Sequence, residues 1–354
     1  MSRVSRRELL LGSAALLNLP KNDWDAWEKE ALAVLPQKKV GEVDQLSDNV
    51  FFYQGNIEEK GHCNNGWIIF ADYVLVIDAN FPSGALEILP KIRALTDKPI
   101  RFAFDTHHHG DHSYGNQVWN ENGATPIAHT GVIEEMKRYE TGYYGNKPGR
   151  WEETAAGRPD VKASKLKPPS LLFPRELFFD DGKQRVELLH LGVAHTHGDA
   201  LAWLPNEKIL FTGDVCANGA YNYVADGNVE NWIATLEAAR KLGARIVCPG
   251  HGPRSSESLL ADQQKFFKTL RERVGALVKA HKSAQQIRDS VAEIGRALKA
   301  DASIARYVGG SLTAQADKVY QELTGGKFPA SEKSARAARH LHAYAHGHEL
   351  VIHS

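Results

Sequence analysis

The chain of 354 residues has few cysteines, no net charge and no long hydrophobic run after its first twenty residues. Its three cysteines, Cys63, Cys216 and Cys248, are too few for a disulfide framework and form no C-x-x-C pair that could hold a metal. Lys and Arg number 43, as do Asp and Glu, so no overall field attracts nucleic acid or an anionic membrane. A membrane span needs about 20 continuous apolar residues. We therefore expect a globular protein with no nucleic-acid partner and no membrane span.

The first twenty residues differ from the rest because a basic start runs into an apolar, acid-poor stretch. Arg6 and Arg7 precede the apolar run 9–17, and this order resembles a twin-arginine export signal. We therefore predict export to the periplasm, followed by a polar lead-in at 21–47. The alternative is a disordered or amphipathic N-terminus with a chance arginine pair, which would leave the protein cytoplasmic.

Two blocks of strand-like segments follow, and each passes into alternating helix and strand. The first block has predicted strands at 50–54, 66–70, 73–79 and 100–105, and predicted helices at 83–95 and 116–121. The second has predicted strands at 185–191, 200–204, 209–212 and 244–248, and a predicted helix at 229–242. Two such blocks predict an α/β fold of four layers, with two sheets face to face and helices outside.

Two further regions lie outside this pattern. Residues 141–174 are rich in Gly, Pro and Lys and are too long for a simple connection, which predicts a functional insertion. Its aromatic residues could close over an apolar ligand or pack on the body of the protein. We predict helix from 255 to about 299 and divide the chain into a main domain at 48–270 and a helical C-terminal extension and tail at 271–354.

Four of the 16 histidines fall between residues 107 and 112, directly after a buried strand. In an extended chain His107 and His109 point the same way, and Asp111 continues that parity. His112 points elsewhere and could address a second ion, whereas His108 is expected behind the ligands or exposed. Imidazole and carboxylate ligands without thiolate suit Zn²⁺ with an open position, although Fe or Mn would also accept them.

This H-x-H-x-D-H segment resembles that of the metallo-β-lactamase-fold hydrolases. Later segments match the same family in order, and Asp78 matches its early supporting aspartate. The matching segments are GVAHTHGD at 192–199, LFTGD at 210–214 and CPGHG at 248–252. The resemblance spans residues 48–254 and implies an αββα sandwich with metals at one sheet edge.

The resemblance also implies seven metal ligands in two groups. His107, His109 and His195 would hold one ion, Asp111, His112 and His251 the other, and Asp214 would bridge them. We therefore expect two Zn²⁺ per chain, with Fe or Mn possible. A carboxylate at Asp214 is similar to lactonases and glyoxalase-II-type thioesterases, whereas the commonest β-lactamases carry cysteine there. Cys216 comes two residues too late for that role and is expected to be a small buried side chain.

The remaining histidines are predicted to have lesser roles. His197 is expected to line the site or to bond Asp199, and His62 to lie on the surface rather than in a pocket. His129 and His190 are expected to be structural. The tail histidines, His340, His342, His346, His348 and His353, are expected to be solvated.

The predicted function follows from the need to make water a nucleophile at neutral pH. Bound to Zn²⁺, the pKa of water falls from about 15.7 to near 7. Asp111 could ligate a metal, orient the nucleophile and carry its proton to the leaving group. We therefore expect a dinuclear metallo-hydrolase that opens a carbon acyl bond of a small-molecule β-lactam, lactone or ester through a metal-bridging hydroxide.

Three alternatives stay open. One is a glyoxalase-II-like thioesterase, and another is an iron-dependent oxidoreductase similar to the persulfide dioxygenases. The third is a non-enzymatic binding protein with a structural metal. Phosphodiester cleavage is disfavoured because its transition state needs further cationic groups. Near the motifs we find only Arg150 and Arg254, and either could equally bind a substrate carboxylate.

Overall fold

Strands of β-branched and aromatic residues build two sheets in the computed structural model, which describes residues 37–325. The first sheet has seven strands in chain order: β1 (Val43–Ser47), β2 (Val50–Tyr53), β3 (Asn65–Ile69), β4 (Val74–Ile77), β5 (Ile100–Asp105), β6 (Thr125–His129) and β7 (Leu171–Phe173). Strands β1 to β4 pair antiparallel, and β4 to β7 pair parallel. Parallel strands covered on both faces read as continuous apolar runs, as β4 does.

The second sheet has five strands in the order β12, β11, β10, β9, β8. They are β8 (Glu176–Asp180), β9 (Arg185–Leu189), β10 (Leu201–Leu204), β11 (Ile209–Gly213) and β12 (Ile246–Pro249). Only the β11–β12 pair is parallel within this sheet. The carboxyl ends of these two strands therefore lie at one edge, next to the loop that follows β5.

Helices cover the outer face of each sheet. Those before β8 are α1 (Ile57–Lys60), α2 (Pro82–Arg93), α3 (Gly110–Ser113), α4 (Asn116–Glu121), α5 (Thr130–Tyr139), α6 (Thr141–Tyr144), α7 (Arg150–Gly157) and α8 (Pro159–Lys162). Those after β11 are α9 (Val229–Arg240), α10 (Ser258–Lys279), α11 (Ala284–Asp289), α12 (Val291–Lys299) and α13 (Leu312–Thr324). Among residues 37–325, no helix combines the length and the apolar character of a membrane span.

Three apolar clusters hold the four layers together. Between the sheets, Phe104 and Phe211 belong to one fully enclosed cluster. Trp119 of α4 joins the cluster under the first sheet, and Trp232 of α9 joins the one under the second. Helix α10 contributes Phe267 and other buried residues at helical spacing to the latter. The predicted four-layer α/β sandwich with helices in the C-terminal region is therefore confirmed.

The structure adds elements that the sequence pattern does not reveal. Strand β1 lies inside the predicted lead-in, and β6 with α5 fills the stretch between 121 and 141. Pro126 sits within β6, and proline ordinarily argues against a central strand. The insertion is not a long loop, because α6, α7 and α8 occupy most of it before β7 begins.

The predicted helical stretch over 255–299 is present as three helices. It is divided into α10, α11 and α12, with His281 in the left-handed region at φ 54° and Ser283 capping α11. Helix α10 runs through the predicted domain boundary at 270, and that division stays a prediction. The predicted export signal and the tail histidines lie outside the described residues.

The space between the sheets gives a test of the packing. Gly66 of β3 faces β11, and a Cβ at this position would overlap the ring of Phe211. Because overpacking of a filled core costs about 1–3 kcal/mol, we expect Gly66→Ala to lower the free energy of unfolding by that amount in chemical denaturation.

Gly275→Ala provides the matched control. Gly275 lies within α10, where a Cβ would meet its nearest atom at 3.7 Å. Removing a helical glycine without a clash stabilises by roughly 0.5–1 kcal/mol, so this variant should be more stable than wild type. A Gly66→Ala variant as stable as wild type would contradict the described contact between the sheets.

Candidate metal centre

Loops from both sheets bring the seven predicted ligands together at one edge. The loop after β5 and helix α3 carry four of them, and the ends of β11 and β12 carry Asp214 and His251. All seven side chains are buried: His107, His109, Asp111, His112, His195, Asp214 and His251. Burying a polar group costs free energy unless the group is paired. The chemistry of the site therefore depends on which groups these seven side chains contact.

Three imidazoles form the first group. Ligand nitrogens of His107, His109 and His195 all lie within 4.8 Å of one another. His109 Nδ1 and His195 Nε2 are 2.8 Å apart. His107 Nε2 is buried and finds no hydrogen-bond partner among the described residues. Three converging nitrogens, one of them unpartnered, fit a divalent cation of the type that imidazole binds.

The second group joins two imidazoles and a carboxylate. Asp111 Oδ2 lies 3.2 Å from His251 Nε2 and 3.4 Å from His112 Nε2. These three residues have ligand atoms within 4.8 Å of one another. The group has the mixed nitrogen and oxygen donors that Zn²⁺, Fe or Mn accept.

Asp214 lies between the two groups. Its Oδ1 is 3.3 Å from His112 Nε2, and its Oδ2 is 3.3 Å from His251 Nε2. The same Oδ2 is 3.5 Å from His195 Nε2, which belongs to the first group. A carboxylate in this position can contribute a ligand oxygen to an ion in either group.

The far side of each group is held by other residues of the chain. Asp78 Oδ1 accepts hydrogen bonds from the backbone N–H and the hydroxyl of Thr106, and its Oδ2 lies 2.9 Å from His112 Nδ1. Nδ1 of His195 donates to the carbonyl of Tyr223. Such partners orient an imidazole and leave its other nitrogen facing the centre. Asp78 thus supports the site, as the sequence predicts.

Asp226 supports the centre in a way that no sequence pattern indicates. His109 Nε2 donates to Asp226 Oδ2 over 2.9 Å. Two guanidinium nitrogens of Arg150 donate hydrogen bonds to the same carboxylate, at 2.6 and 3.0 Å. The side chain of His108 is buried beside this pair, stacked on Tyr139 with ring centroids 5.5 Å apart. The first residue of α7 therefore connects the insertion to a candidate metal ligand.

Electrostatics differ between the two ligand groups. Burial lowers the pKa of His107 well below its usual value and that of His109 to about 4, so both imidazoles stay neutral at pH 7. Against the effect of burial, nearby acidic groups raise the pKa of His112 well above its usual value and that of His251 to about 9, so these two imidazoles would release a proton on binding a cation. Burial by itself would raise the pKa of Asp111, but His112 holds it well below the usual range. The pKa of Asp214 is lowered in the same way by His251 and His112 against the effect of burial.

Comparison with known proteins agrees with this geometry. A family model described as the metallo-beta-lactamase superfamily matches residues 59–251. The chain belongs to this superfamily. Among its relatives, the metallo-beta-lactamase type 2 of Pseudomonas aeruginosa is 23% identical over 239 residues, covering 64% of this chain and 83% of that protein. The enzyme of the same name from Bacteroides fragilis is 25% identical over 246 residues, covering 65% and 88%.

Solved structures of the superfamily share the fold. A metallo-beta-lactamase from Pontibacter korlensis aligns with a TM-score of 0.52 at 20% identity, covering 64% of this chain and 98% of that one. The DIM-1 metallo-beta-lactamase aligns with a TM-score of 0.51 at 19% identity, covering 66% and 99%. About a third of this chain therefore has no counterpart in these superfamily members.

Several lesser predictions have different outcomes. His62 does not lie on the surface, because its side chain is buried and its Nε2 is 2.8 Å from the hydroxyl of Ser83. His197 does not bond Asp199, since its side chain is exposed and Thr196 donates to that carboxylate instead. His108 is not exposed either, and the alternative that places it behind the ligands holds.

Other predictions are confirmed. The rings of His129 and His190 stack 3.9 Å apart at 4°, with carbonyls as further partners, which fits structural roles. Cys216 is fully buried within the apolar cluster under the second sheet. Beyond these predictions, Tyr221 and Tyr223 lie beside the ligand groups, with ring centroids 5.8 Å from His251 and 5.6 Å from His109 respectively.

The insertion packs on the body of the protein through one of its aromatic residues, and closure over a ligand stays a prediction. Trp151 packs against Tyr114 of the main body, with ring centroids 4.8 Å apart, whereas Tyr143 and Tyr144 are exposed. The two arginines considered for substrate binding are both paired with carboxylates. Asp226 binds Arg150, and Asp44 lies 2.6 Å from Arg254.

Replacement of Asp226 tests its support of the centre. Asp226→Asn keeps the shape but removes the charge that orients His109, so we expect metal affinity about 10–100-fold lower than wild type. Competition with a chromogenic chelator measures this directly. Asp317→Asn is the matched control, because Asp317 is a buried carboxylate paired with Arg288. Equal metal affinity of wild type and Asp226→Asn would contradict the role.

Proposed function

We propose that this chain is a dinuclear metal-dependent hydrolase that breaks a carbon acyl bond of a β-lactam, lactone or ester. The observation that carries the proposal is the position of the Asp214 carboxylate. It lies 3.3 Å from a nitrogen of the second ligand group and 3.5 Å from one of the first. A single ion with four protein ligands would leave part of this buried set unused.

The residues present fit two ions. The first would be held by His107, His109 and His195, the second by Asp111, His112 and His251, and Asp214 would contribute to both. Zn²⁺ suits these nitrogen and oxygen donors, with Fe or Mn as alternatives. When bound, such ions supply a water that ionises near neutral pH and charge to stabilise a developing oxyanion.

The chain itself would position the reactants. Asp111 Oδ2 lies centrally, 3.2 Å from His251 Nε2, where it can accept a proton from the attacking water and return it to the leaving group. Tyr221 and Tyr223 stand beside the two ligand groups and can pack against an apolar acyl substrate. Asp226 and Asp44 neutralise Arg150 and Arg254, which weighs against a polyanionic substrate such as RNA.

The number of ions is the first test. We expect elemental analysis of metal-replete protein to give two ions per chain. Asp214→Ala should weaken both, since the carboxylate contacts ligands of either group. One iron per chain in active protein would contradict the dinuclear proposal and favour the dioxygenase-like alternative.

The substrate class is the second test. Reconstituted protein is assayed side by side with nitrocefin, a lactone series, a glutathione thioester and a chromogenic phosphodiester. We expect turnover of the β-lactam or of lactones, with little on the phosphodiester. Asp111→Asn should lower kcat by about 10²–10⁴, the range for a positioned acid or base.

Gly275→Ala is the control for Asp111→Asn, because that change lies in α10, away from the ligand loops. Dominant phosphodiesterase activity would overturn the proposed substrate class. A strong preference for the glutathione thioester would replace it with a glyoxalase-II-like function.

A further inference from the structure

The loop at 215–228, between β11 and α9, carries three groups that face the candidate metal centre. The ring of Tyr221 lies against His251. The carbonyl of Tyr223 accepts the hydrogen bond of His195 Nδ1 at 2.9 Å, and Asp226 accepts that of His109 at 2.9 Å. Two ligands of the first group therefore depend on where this loop lies.

Helix α13, which lies beyond the stretch matched by the family model, contacts the same loop. Gln315 is fully buried, and its Nε2 donates to the carbonyl of Asn222 at 2.8 Å and to the hydroxyl of Ser311 at 2.9 Å. Asn222 stands between the two tyrosines. Its own side-chain amide finds no hydrogen-bond partner among the described residues, so Gln315 holds this point of the loop through the backbone.

Other contacts continue along the loop on both sides of Asn222. Lys318 of α13 donates from Nζ to the carbonyl of Ala225, the residue before Asp226, at 3.4 Å. Gly309, just before α13, approaches so closely that a Cβ there would lie 2.6 Å from Cβ of Ala220. The extension therefore touches the loop at three successive points.

The end of the loop is held as well. Glu322 of α13 accepts hydrogen bonds from the backbone N–H groups of Val229 and Glu230, at 2.8 and 3.2 Å. These are the first residues of α9, and a carboxylate at a helix N-terminus is electrostatically favourable. Arg271 of α10 in turn lies 3.2 Å from Glu322. The contact therefore orients α9 at the point where the loop enters it.

Helix α13 is itself fixed by contacts that do not involve the loop. Leu312, Ala316 and Val319 are buried in the apolar cluster under the second sheet. Since the helix is anchored independently, it can act as a rigid support for a loop that would otherwise lack regular structure.

We propose that Gln315 is a positioning residue for the metal centre, and that α13 holds the 215–228 loop so that Tyr223 and Asp226 orient His195 and His109. The proposal rests on the two ligand groups being metal sites. It does not depend on which acyl substrate is cleaved, because its effect is on ligand geometry.

The test measures metal binding by the full-length chain. Gln315→Met keeps the length of the side chain but removes the donor to Asn222. We expect an affinity for Zn²⁺ about 10-fold lower than wild type in chelator competition, at the lower end of the effect of an outer hydrogen-bond partner. In the Co²⁺-substituted protein, the visible absorption spectrum should change because the His195 and His109 ligands are no longer oriented alike.

Arg288→Met is the matched control. It removes the ion pair of α11 with Asp317 on the same helix α13 and so destabilises the extension, but it leaves the contacts with the loop intact. We expect it to lower the thermal midpoint while keeping wild-type Zn²⁺ affinity and Co²⁺ spectrum. If Arg288→Met changes both as much as Gln315→Met does, the effect is general destabilisation and the proposal is overturned.

Lys318→Ala covers the case in which Gln315→Met fails to fold. Lys318 is partly exposed and its removal leaves the core unchanged, so this variant should fold and show a smaller loss of affinity in the same direction. Unchanged affinity and spectrum in the variants that fold would overturn the proposal. A wild-type chain that binds no second ion would instead contradict the proposed dinuclear function.

Discussion

The convergence of buried imidazole and carboxylate groups is the constraint on which the rest of the structure depends. His109 Nδ1 and His195 Nε2 lie 2.8 Å apart, and His107 Nε2 has no hydrogen-bond partner among the described residues. Desolvating such groups without a counter-charge is costly. The packing of the two sheets holds the loops in place despite this desolvation cost. Cations at the centre would offset the cost.

Each ligand that is anchored from behind keeps one atom free to face the centre. Asp78, the carbonyl of Tyr223 and Asp226 each lie next to one ring nitrogen of a histidine. The cost of orienting the rings is met during folding, so the ligands are preorganised for ions. The stability of the fold and the quality of the site are therefore coupled through the same hydrogen bonds.

The sequence predicts the parts of this arrangement that depend on local pattern. Alternation in an extended loop separates His107 and His109 from His112, and the buried strands before each ligand are apolar runs. The order of the motifs then predicts which ligands meet. The contact of Asp226 with His109 could not be predicted from the sequence, because the two residues are 117 positions apart and Asp226 belongs to no motif. Only the packing of the insertion and of the loop at 215–228 brings Arg150 to it.

The same limit applies to the fold. Strand β6 is hard to predict because it contains Pro126. Helix α13 is hard to predict because no recognisable motif lies in its part of the sequence. Both are stabilised by long-range contacts, since β6 pairs with β5 and β7 while α13 packs on α10. Propensity is a weak guide wherever tertiary contacts decide.

The two ligand groups differ in what supports them, and this difference gives the peripheral segments a role. The second group is supported by Asp78 within the stretch that matches the superfamily. The first is supported by Asp226, which binds Arg150 of the insertion. It is also supported by the carbonyl of Tyr223, and the neighbouring Asn222 accepts a hydrogen bond from Gln315 of the extension. Changes in these segments should therefore affect the first ligand group more than the second, and Gln315 can act on it from beyond the stretch that matches the superfamily.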